Sequence, residues 1–290
     1  MIAQSISFCV IVCLLAVMNF SQAAGTASGA FTDDKLGTIA PKSAAAYLVR
    51  DQFDARTTTV EILLTDAPVD PKPMIGALDP HVVAINLDSV MRHNYILVWV
   101  KPDGEVSMNA TFGATMTQFI DRTDQTLEAE FTTRTAARIE GRVFTASPVK
   151  TRDSAYTVEL RFSVDVPPPV GTALPKGGGE AGTAFNTFIA AASKKDWAGI
   201  RAGASPAAFK RFNDEFRTES ENAAEALDTL KIWIPLSKMT VTAGQLRDNI
   251  AILDVEGEYS PGDVSLSQVQ MVKTGNVWQF DRAVRVGFVK

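Results

Sequence analysis

Cysteine is nearly absent from this chain of 290 residues, and its two copies, Cys9 and Cys13, both lie close to the start. Beyond Cys13 the chain can form no disulfide bond, offer no thiolate to a metal and present no cysteine nucleophile. A fold without these supports has to rest on hydrophobic cores. Hydrophobic residues make up 46% of the sequence, which is enough to build the cores of two domains.

Histidine is equally scarce. The only two, His81 and His93, match no metal-binding spacing, and we expect both to be polar residues at the surface. No serine stands in a nucleophile-elbow pattern, and no glycine-rich stretch has the context of a phosphate-binding loop. The sequence therefore predicts no catalytic residue, no metal and no cofactor. Basic residues form no patch, and the formal net charge is -5, so nucleic acid is not an expected partner.

Charged side chains are missing from residues 1–24. An apolar core at residues 6–20 is followed by Ala23 and Ala24, small residues of the kind that a signal peptidase requires. This pattern predicts a signal peptide at residues 1–24 and an exported protein, periplasmic or secreted after cleavage. No basic residue precedes the apolar core, so the alternative is an uncleaved anchor of nearly the ~20 residues that span a bilayer. Membrane contact is expected only in that second case.

A stretch rich in proline and glycine divides the chain at residues 167–182. Three consecutive prolines beginning at Pro167 favour a stiff extended segment, and three consecutive glycines beginning at Gly177 favour a flexible one. Such a stretch would interrupt a core. We therefore expect it to link a first domain at residues 30–166 to a second at residues 183–290.

The first domain has the pattern of an all-β sandwich, with short strands that are separated by turn residues. The turn Pro102-Asp103-Gly104 predicts a hairpin between two of these strands. Residues 43–50 fit either a strand or a helix. The other predicted strands lie at residues 57–65, 82–88, 95–101, 106–112, 126–135, 138–145 and 155–166.

The second domain begins with helical periodicity. Phe185, Phe188 and Ile189 fall on one face of a predicted helix, and residues 197–201 form a further turn. Ser205 followed by Pro206 marks the start of another helix. Its apolar residues recur at steps of three and four at Phe209, Phe212, Phe216, Ala223, Leu227 and Leu230. Four strands then follow at residues 239–243, 249–259, 264–272 and 277–286.

Residues 180–290 resemble the superfamily of nuclear transport factor 2 and ketosteroid isomerase. The resemblance rests on the opening helix at residues 185–192, the break Lys194-Lys195-Asp196-Trp197, and the closing hairpin at residues 271–278. It implies a curved sheet wrapped around a helix, with an apolar pocket that is catalytic in some members and filled, or used for binding or dimerisation, in others. The predicted fold class is thus α+β overall: an all-β sandwich followed by an α+β cone. The first domain resembles no family.

Two carboxylates of the second domain are candidates for such a pocket. Alternation along residues 249–259 places Asp254 and Glu256 on the same side as two isoleucines. A carboxylate against an apolar wall has a raised pKa and can serve as a general base. The plainer interpretation is that the acidic end of the strand runs into solvent.

Arg282 shares its side of the last strand with Trp278 and Phe280. It could bind an anionic group in the pocket or pair with Asp254. In the alternative, its stem covers apolar surface and its head reaches water.

Aromatic residues complete the predicted ligand-binding set. Trp197, Trp233 and Tyr259 could line the cavity beside the carboxylates and Arg282, although tryptophans at such positions are usually core residues.

The function favoured by these features is a non-enzymatic binding or accessory module for a partner protein, a polymer or a small ligand. The alternative is a pocket enzyme of the isomerase or hydrolase type, with Asp254 or Glu256 as general base and Arg282 holding an anionic group. A homodimer formed through the C-terminal sheet is a further expectation.

Overall fold

A computed structural model describes residues 25–51, 53–113, 116–120 and 126–289. The signal peptide predicted at residues 1–24 lies outside the described residues. Strands hold 47% of the described chain and helices 21%. Among these residues, no helix combines the length and apolar character needed to cross a membrane.

The first part of the chain is one curled antiparallel sheet. Its described strands follow the order β7-β6-β5-β4-β3-β1-β11-β9-β8, and two short strands, β2 and β10, pair with β1 and β11. The hairpin between β5 and β6 turns at the predicted Pro102-Asp103-Gly104, where Gly104 has φ 94 and its N–H donates to the Lys101 carbonyl. Residues 43–50 form a strand. The bounds are β1 Gly25–Asp33, β2 Gly37–Ile39, β3 Ser43–Arg50, β4 Thr58–Thr65, β5 Tyr95–Val100, β6 Val106–Phe112, β7 Met116–Ile120, β8 Glu128–Arg134, β9 Arg138–Phe144, β10 Val149–Lys150 and β11 Ala155–Asp165.

The predicted sandwich of two packed sheets is wrong for this part of the chain. The sheet curls, and its inner side encloses its own core, which includes Phe31, Ile62, Val98 and Leu160. Strict alternation along β11, where buried and exposed residues follow each other, is what a strand with one dry face requires. Alternation of this kind predicts a buried face but does not say whether a second sheet or the curl of the same sheet covers it.

Two short helices cover part of the outer side of this sheet. They are α1 Pro80–Ile85 and α2 Asp88–Met91, and they enclose a second, smaller core with Leu63, Met74 and Leu97. The strand predicted at residues 82–88 is therefore wrong. Asp79 accepts a hydrogen bond from the Val82 N–H, and proline occupies the first helical turn, so the start signals of a helix prevail over β-branched composition.

Four helices open the second part of the chain. Their bounds are α3 Gly179–Ser193, α4 Trp197–Gly203, α5 Pro206–Phe212 and α6 Glu219–Trp233. The helix predicted after Pro206 is interrupted at residues 213–218, because Thr218 and Glu221 form a capping box that starts a new helix. This break leaves Phe216, which helical periodicity predicts to be apolar core, 90% exposed.

The second sheet has five antiparallel strands in the order β12-β13-β14-β15-β16. A bulge at Asp281 inserts one extra residue, so that Phe280 pairs with Met271 while Arg282 pairs with Gln270. The strands are β12 Thr172–Ala173, β13 Ser237–Arg247, β14 Ile250–Ser260, β15 Asp263–Thr274 and β16 Val277–Phe288. The predicted linker at residues 167–182 thus contains β12 and the start of α3.

The predicted α+β class, with a C-terminal cone, is also wrong. The described chain is mostly β, and its helices are short. The space between helices and sheet, where the resemblance implies a pocket, is packed with aromatic side chains. Phe188 stacks on Phe280 with ring centroids 4.6 Å apart, and Trp197 contacts Phe209 at 5.1 Å. Large apolar residues on both layers close this space.

Candidate functional site

The two faces of the second sheet have different neighbours. On β14, Ala251, Leu253 and Val255 are buried under the helices. The alternate residues, which include Ile252 and Asp254, belong to the opposite face. That face is turned toward the first sheet, because Arg50 at the end of β3 reaches Asp254. The predicted alternation is therefore correct, but its polar side lies away from the helices.

A cleft of about 350 Å³ lies between the two parts of the chain. The end of β3 and the loop at residues 74–77 line one side of the cleft. The segment at residues 167–170 and the strands β13 to β15 form the other walls. Apolar groups such as Met74, Ile75 and Ile252 line much of it. The polar groups that converge on it include Arg50, Asp254 and the amides of Gln245 and Gln268.

Asp254 is the carboxylate that lines this cleft, and it is held on both oxygens. Arg50 Nη2 donates to Oδ2 at 2.5 Å, and Gln268 Nε2 donates to Oδ1 at 3.1 Å. Asp254 is buried, at 7% exposure, because the neighbouring strands and Arg50 surround it. An arginine at this distance compensates the charge of a buried carboxylate.

Glu256 lies two residues further along the same face and is paired with Arg56. The guanidinium donates from Nε to Oε1 at 3.0 Å and from Nη2 to Oε2 at 2.6 Å, which is a bidentate pair. These hydrogen bonds to Glu256, together with its charge, raise the pKa of Arg56. The loop that carries Arg56 is fastened again nearby, since the Ala55 N–H donates to the Phe288 carbonyl at 2.9 Å.

A second cavity of about 320 Å³ adjoins the cleft. The two share the loop at residues 75–77 and the side chains of Val170, Gln245 and Ile252. Lys72, Arg247 and Arg282 line the second cavity, and no carboxylate is among its lining residues. Basic groups from three separate segments therefore meet in one hollow.

The predicted ligand-binding residues do not form one cluster. Asp254 lines the cleft, Arg282 lines the adjoining cavity and Glu256 lies beside them in its pair with Arg56. Trp197 is buried in the core under the helices. Trp233, at the end of α6, is exposed.

Tyr259 also lies apart from the cleft. Its ring is half exposed and carries the Arg285 guanidinium 4.0 Å from its centroid, and the Phe288 ring meets it edge-on at 6.2 Å. For Arg282, the expected shared side with Trp278 and Phe280 is wrong. The bulge at Asp281 turns Arg282 to the cleft side while the two aromatic residues stay in the core.

A buried carboxylate in the first part of the chain was not predicted from the sequence. Glu61 of β4 is 1% exposed and accepts hydrogen bonds from the Tyr47 hydroxyl, from Trp99 Nε1 at 2.6 Å, and from His81 Nδ1 at 2.9 Å. The one sequence signal is that Glu61 interrupts the apolar stretch from Val60 to Leu64, at a position that alternation places on the same face as Leu63.

His81, expected at the surface, is thus half-buried against Glu61. Burial lowers the pKa of His81, but the hydrogen bond and charge of Glu61 outweigh it, so the pKa is raised. Burial, followed by the charge of Glu61, raises the pKa of Tyr47 well above its usual range. These contacts hold α1 on the sheet. In the described residues, no group of three or more His, Cys, Asp or Glu side chains is placed to hold a metal ion.

No protein-family model matches this chain, and no curated protein matches it. The comparisons therefore identify no superfamily.

Proposed function

We propose that this chain is an exported, non-catalytic binding protein whose small ligand occupies the cleft between its two parts. The observation that carries the proposal is the cleft of about 350 Å³ with its adjoining cavity of about 320 Å³. Pockets of a few hundred Å³ at domain boundaries are common ligand sites.

The composition of the walls supports binding. Apolar side chains such as Ile75, Val170 and Ile252 offer contact area, while Gln245 and Gln268 present amides that can donate and accept hydrogen bonds. A mainly apolar wall with a few converging polar groups gives both affinity and orientation to a small molecule.

The state of the two carboxylates favours binding over catalysis. A general base needs a carboxylate with a free lone pair directed at the substrate. Asp254 is engaged by Arg50 and Gln268, and Glu256 is engaged twice by Arg56. The alternative enzyme with Asp254 or Glu256 as base would first have to break these pairs.

The absence of cysteine beyond Cys13 offers a direct test. With Cys9 and Cys13 replaced by serine, a single cysteine is introduced as Gln245→Cys, which lines both cavities. The matched control is Thr157→Cys on the exposed side of β11. The alkylation rate of each is measured with iodoacetamide, with and without the dialysable fraction of a lysate of the source cells.

We expect that fraction to slow alkylation in the cleft and to leave the control unchanged. Mass spectrometry of the protected protein under native conditions would then give the mass of the ligand. An alkylation rate of Gln245→Cys that the fraction leaves unchanged, together with no bound small molecule, would contradict the proposal.

A further inference from the structure

The smaller cavity has an unusual charge for this protein. The chain carries a formal net charge of -5, yet Lys72, Arg247 and Arg282 meet there with no carboxylate in the lining. They come from the loop before α1, the end of β13 and the bulge of β16. Cations brought together in one hollow repel each other unless something neutralises them, and the hollow between them is a region of positive potential.

These three cations are weakly engaged by the protein. Arg247 Nη1 donates to the Ile75 carbonyl at 3.4 Å. Arg282 Nη2 donates to Gln270 Oε1 at 3.4 Å, and its Nε lies 3.9 Å from the Asp281 carboxylate. Within the described residues, the Lys72 ammonium has no side-chain partner. The carboxylate nearest to Arg282 is itself shared, because Asp281 accepts from Ser205 at 2.7 Å and from Gln270 at 3.0 Å.

The cations beside the larger cleft are engaged quite differently. Arg50 approaches Asp254 at 2.5 Å, and Arg56 makes two hydrogen bonds to Glu256. The same face of the molecule therefore neutralises two arginines fully and leaves three other basic residues with donors to spare. Guanidinium groups with spare donors bind carboxylate or phosphate oxygens in pairs of hydrogen bonds.

The surroundings of the three cations suit an anionic group. Gln245 and Gln270 line the same cavity. The Gln245 amide can donate to an anion, and Gln270, whose Nε2 already donates to Asp281, keeps one further N–H. Val83 and Ile250 add apolar wall beside these polar groups. Since this cavity shares Val170 and other residues with the larger cleft, one molecule can extend through both.

We infer that the ligand of the cleft is an amphiphilic anion. Its carboxylate or phosphate head is bound by Lys72, Arg247 and Arg282, and its apolar body lies in the larger cleft beside Val170 and Ile252. This inference rests on the proposed function, since it names the chemical class of the ligand for the same site.

The test uses protein produced from the full-length sequence and four probes: octyl phosphate, octanoate, octanol and inorganic phosphate. Binding is measured by isothermal titration calorimetry at low salt. The first two probes distinguish a phosphate head from a carboxylate head. Octanol has the apolar body without the charge, and inorganic phosphate has the charge without the body.

We expect at least one of the two amphiphilic anions to bind more tightly than octanol and inorganic phosphate. Arg247→Gln and Arg282→Gln should each weaken it by about five-fold, as for a partly exposed ion pair, and the double variant by about 25-fold. Arg152→Gln, which lines neither cavity, is the matched control and should bind like the unaltered protein. Higher ionic strength should weaken binding by the unaltered protein, which gives a readout that needs no variant.

The outcomes separate this inference from the proposed function. If octanol binds as tightly as octyl phosphate and octanoate, the cleft takes an uncharged ligand and the inference is wrong. If none of the four probes binds while Gln245→Cys is still protected by the cell lysate, the inference is again wrong and the proposed function stands. If the cysteine is not protected either, both are wrong.

Discussion

Replacing Arg50 and Asp254 by alanine, singly and together, tests whether their ion pair fastens the two parts of the chain. The two residues lie 204 positions apart and are joined by the 2.5 Å contact between Arg50 Nη2 and Asp254 Oδ2. Arg50 also donates from Nη1 to the Arg56 carbonyl at 3.2 Å and to Thr58 at 3.4 Å. Asp254 keeps one further partner, Gln268.

The expected magnitude follows from the exposure of the two side chains, which is 27% for Arg50 and 10% for Asp254. Fully exposed pairs couple by about 0.2–1 kcal/mol, whereas breaking a buried pair costs about 3–5 kcal/mol. This pair lies between those limits, so we expect a coupling free energy of about 1–2 kcal/mol.

The two single variants should differ. Arg50→Ala leaves the buried Asp254 carboxylate with only Gln268 as partner, so we expect the free energy of unfolding to fall by about 2–3 kcal/mol. Asp254→Ala leaves Arg50 free to turn toward water, and Arg50 still has its two other acceptors. The free energy of unfolding should therefore fall by only about 1–2 kcal/mol.

Urea unfolding measures these losses. Because the molecule has separate cores, circular dichroism and tryptophan fluorescence should be recorded together to detect any splitting of the transition. The matched control pair is Arg138 and Asp165, which are joined at 2.8 Å within the first sheet and are about half exposed. A coupling below about 0.3 kcal/mol for Arg50 and Asp254, or one no larger than that of the control pair, would show that this ion pair does not fasten the two parts of the chain.

Three further predictions concern stability. Glu61 raises the pKa of His81 above its ordinary value of 6.5, so His81 contributes its full stabilisation below pH 6.5. The unaltered protein should therefore exceed His81→Gln in free energy of unfolding by an amount that shrinks as pH rises. Urea unfolding from about pH 5 to 8 checks this, and a constant difference would count against it. Phe188→Ala, in the core, should lower the free energy of unfolding by about 3–5 kcal/mol, whereas the exposed Phe216→Ala should lower it by less than about 0.5 kcal/mol in the same urea assay. Gly178→Ala should lower the melting temperature more than Gly275→Ala, because both have positive φ but only the first would place a Cβ 2.8 Å from a leucine side chain.

Local features of the chain were predictable because they depend on near neighbours. The turn at Pro102-Asp103-Gly104 needs only a residue that tolerates positive φ at the right place, and the structure has Gly104 there at φ 94. The start of α5 follows from Ser205, which accepts a hydrogen bond from the Ala208 N–H. By contrast, the helix at residues 80–85 was hidden by its valines, whose preference for strands is weak and depends on packing.

The way the sheets close was not predictable from alternation. A strand with one apolar face is equally suited to a second sheet, to helices or to the inner side of a curled sheet, because each of these removes the same area from water. The choice depends on contacts between distant strands, such as β1 with β11, in which Phe31 pairs with Val158.

The cleft shows why a correct local prediction can still give the wrong site. Alternation places Asp254 on the polar side of β14, as the structure has it, but the sequence does not say which side faces the helices. For Arg282 the error has a different cause, since the single extra residue at Asp281 reverses the side chains that follow it, as far as a second register shift between Arg285 and Gly287. One bulge therefore moves a guanidinium from the expected apolar core to the cavity with Lys72 and Arg247, where its charge can bind a ligand.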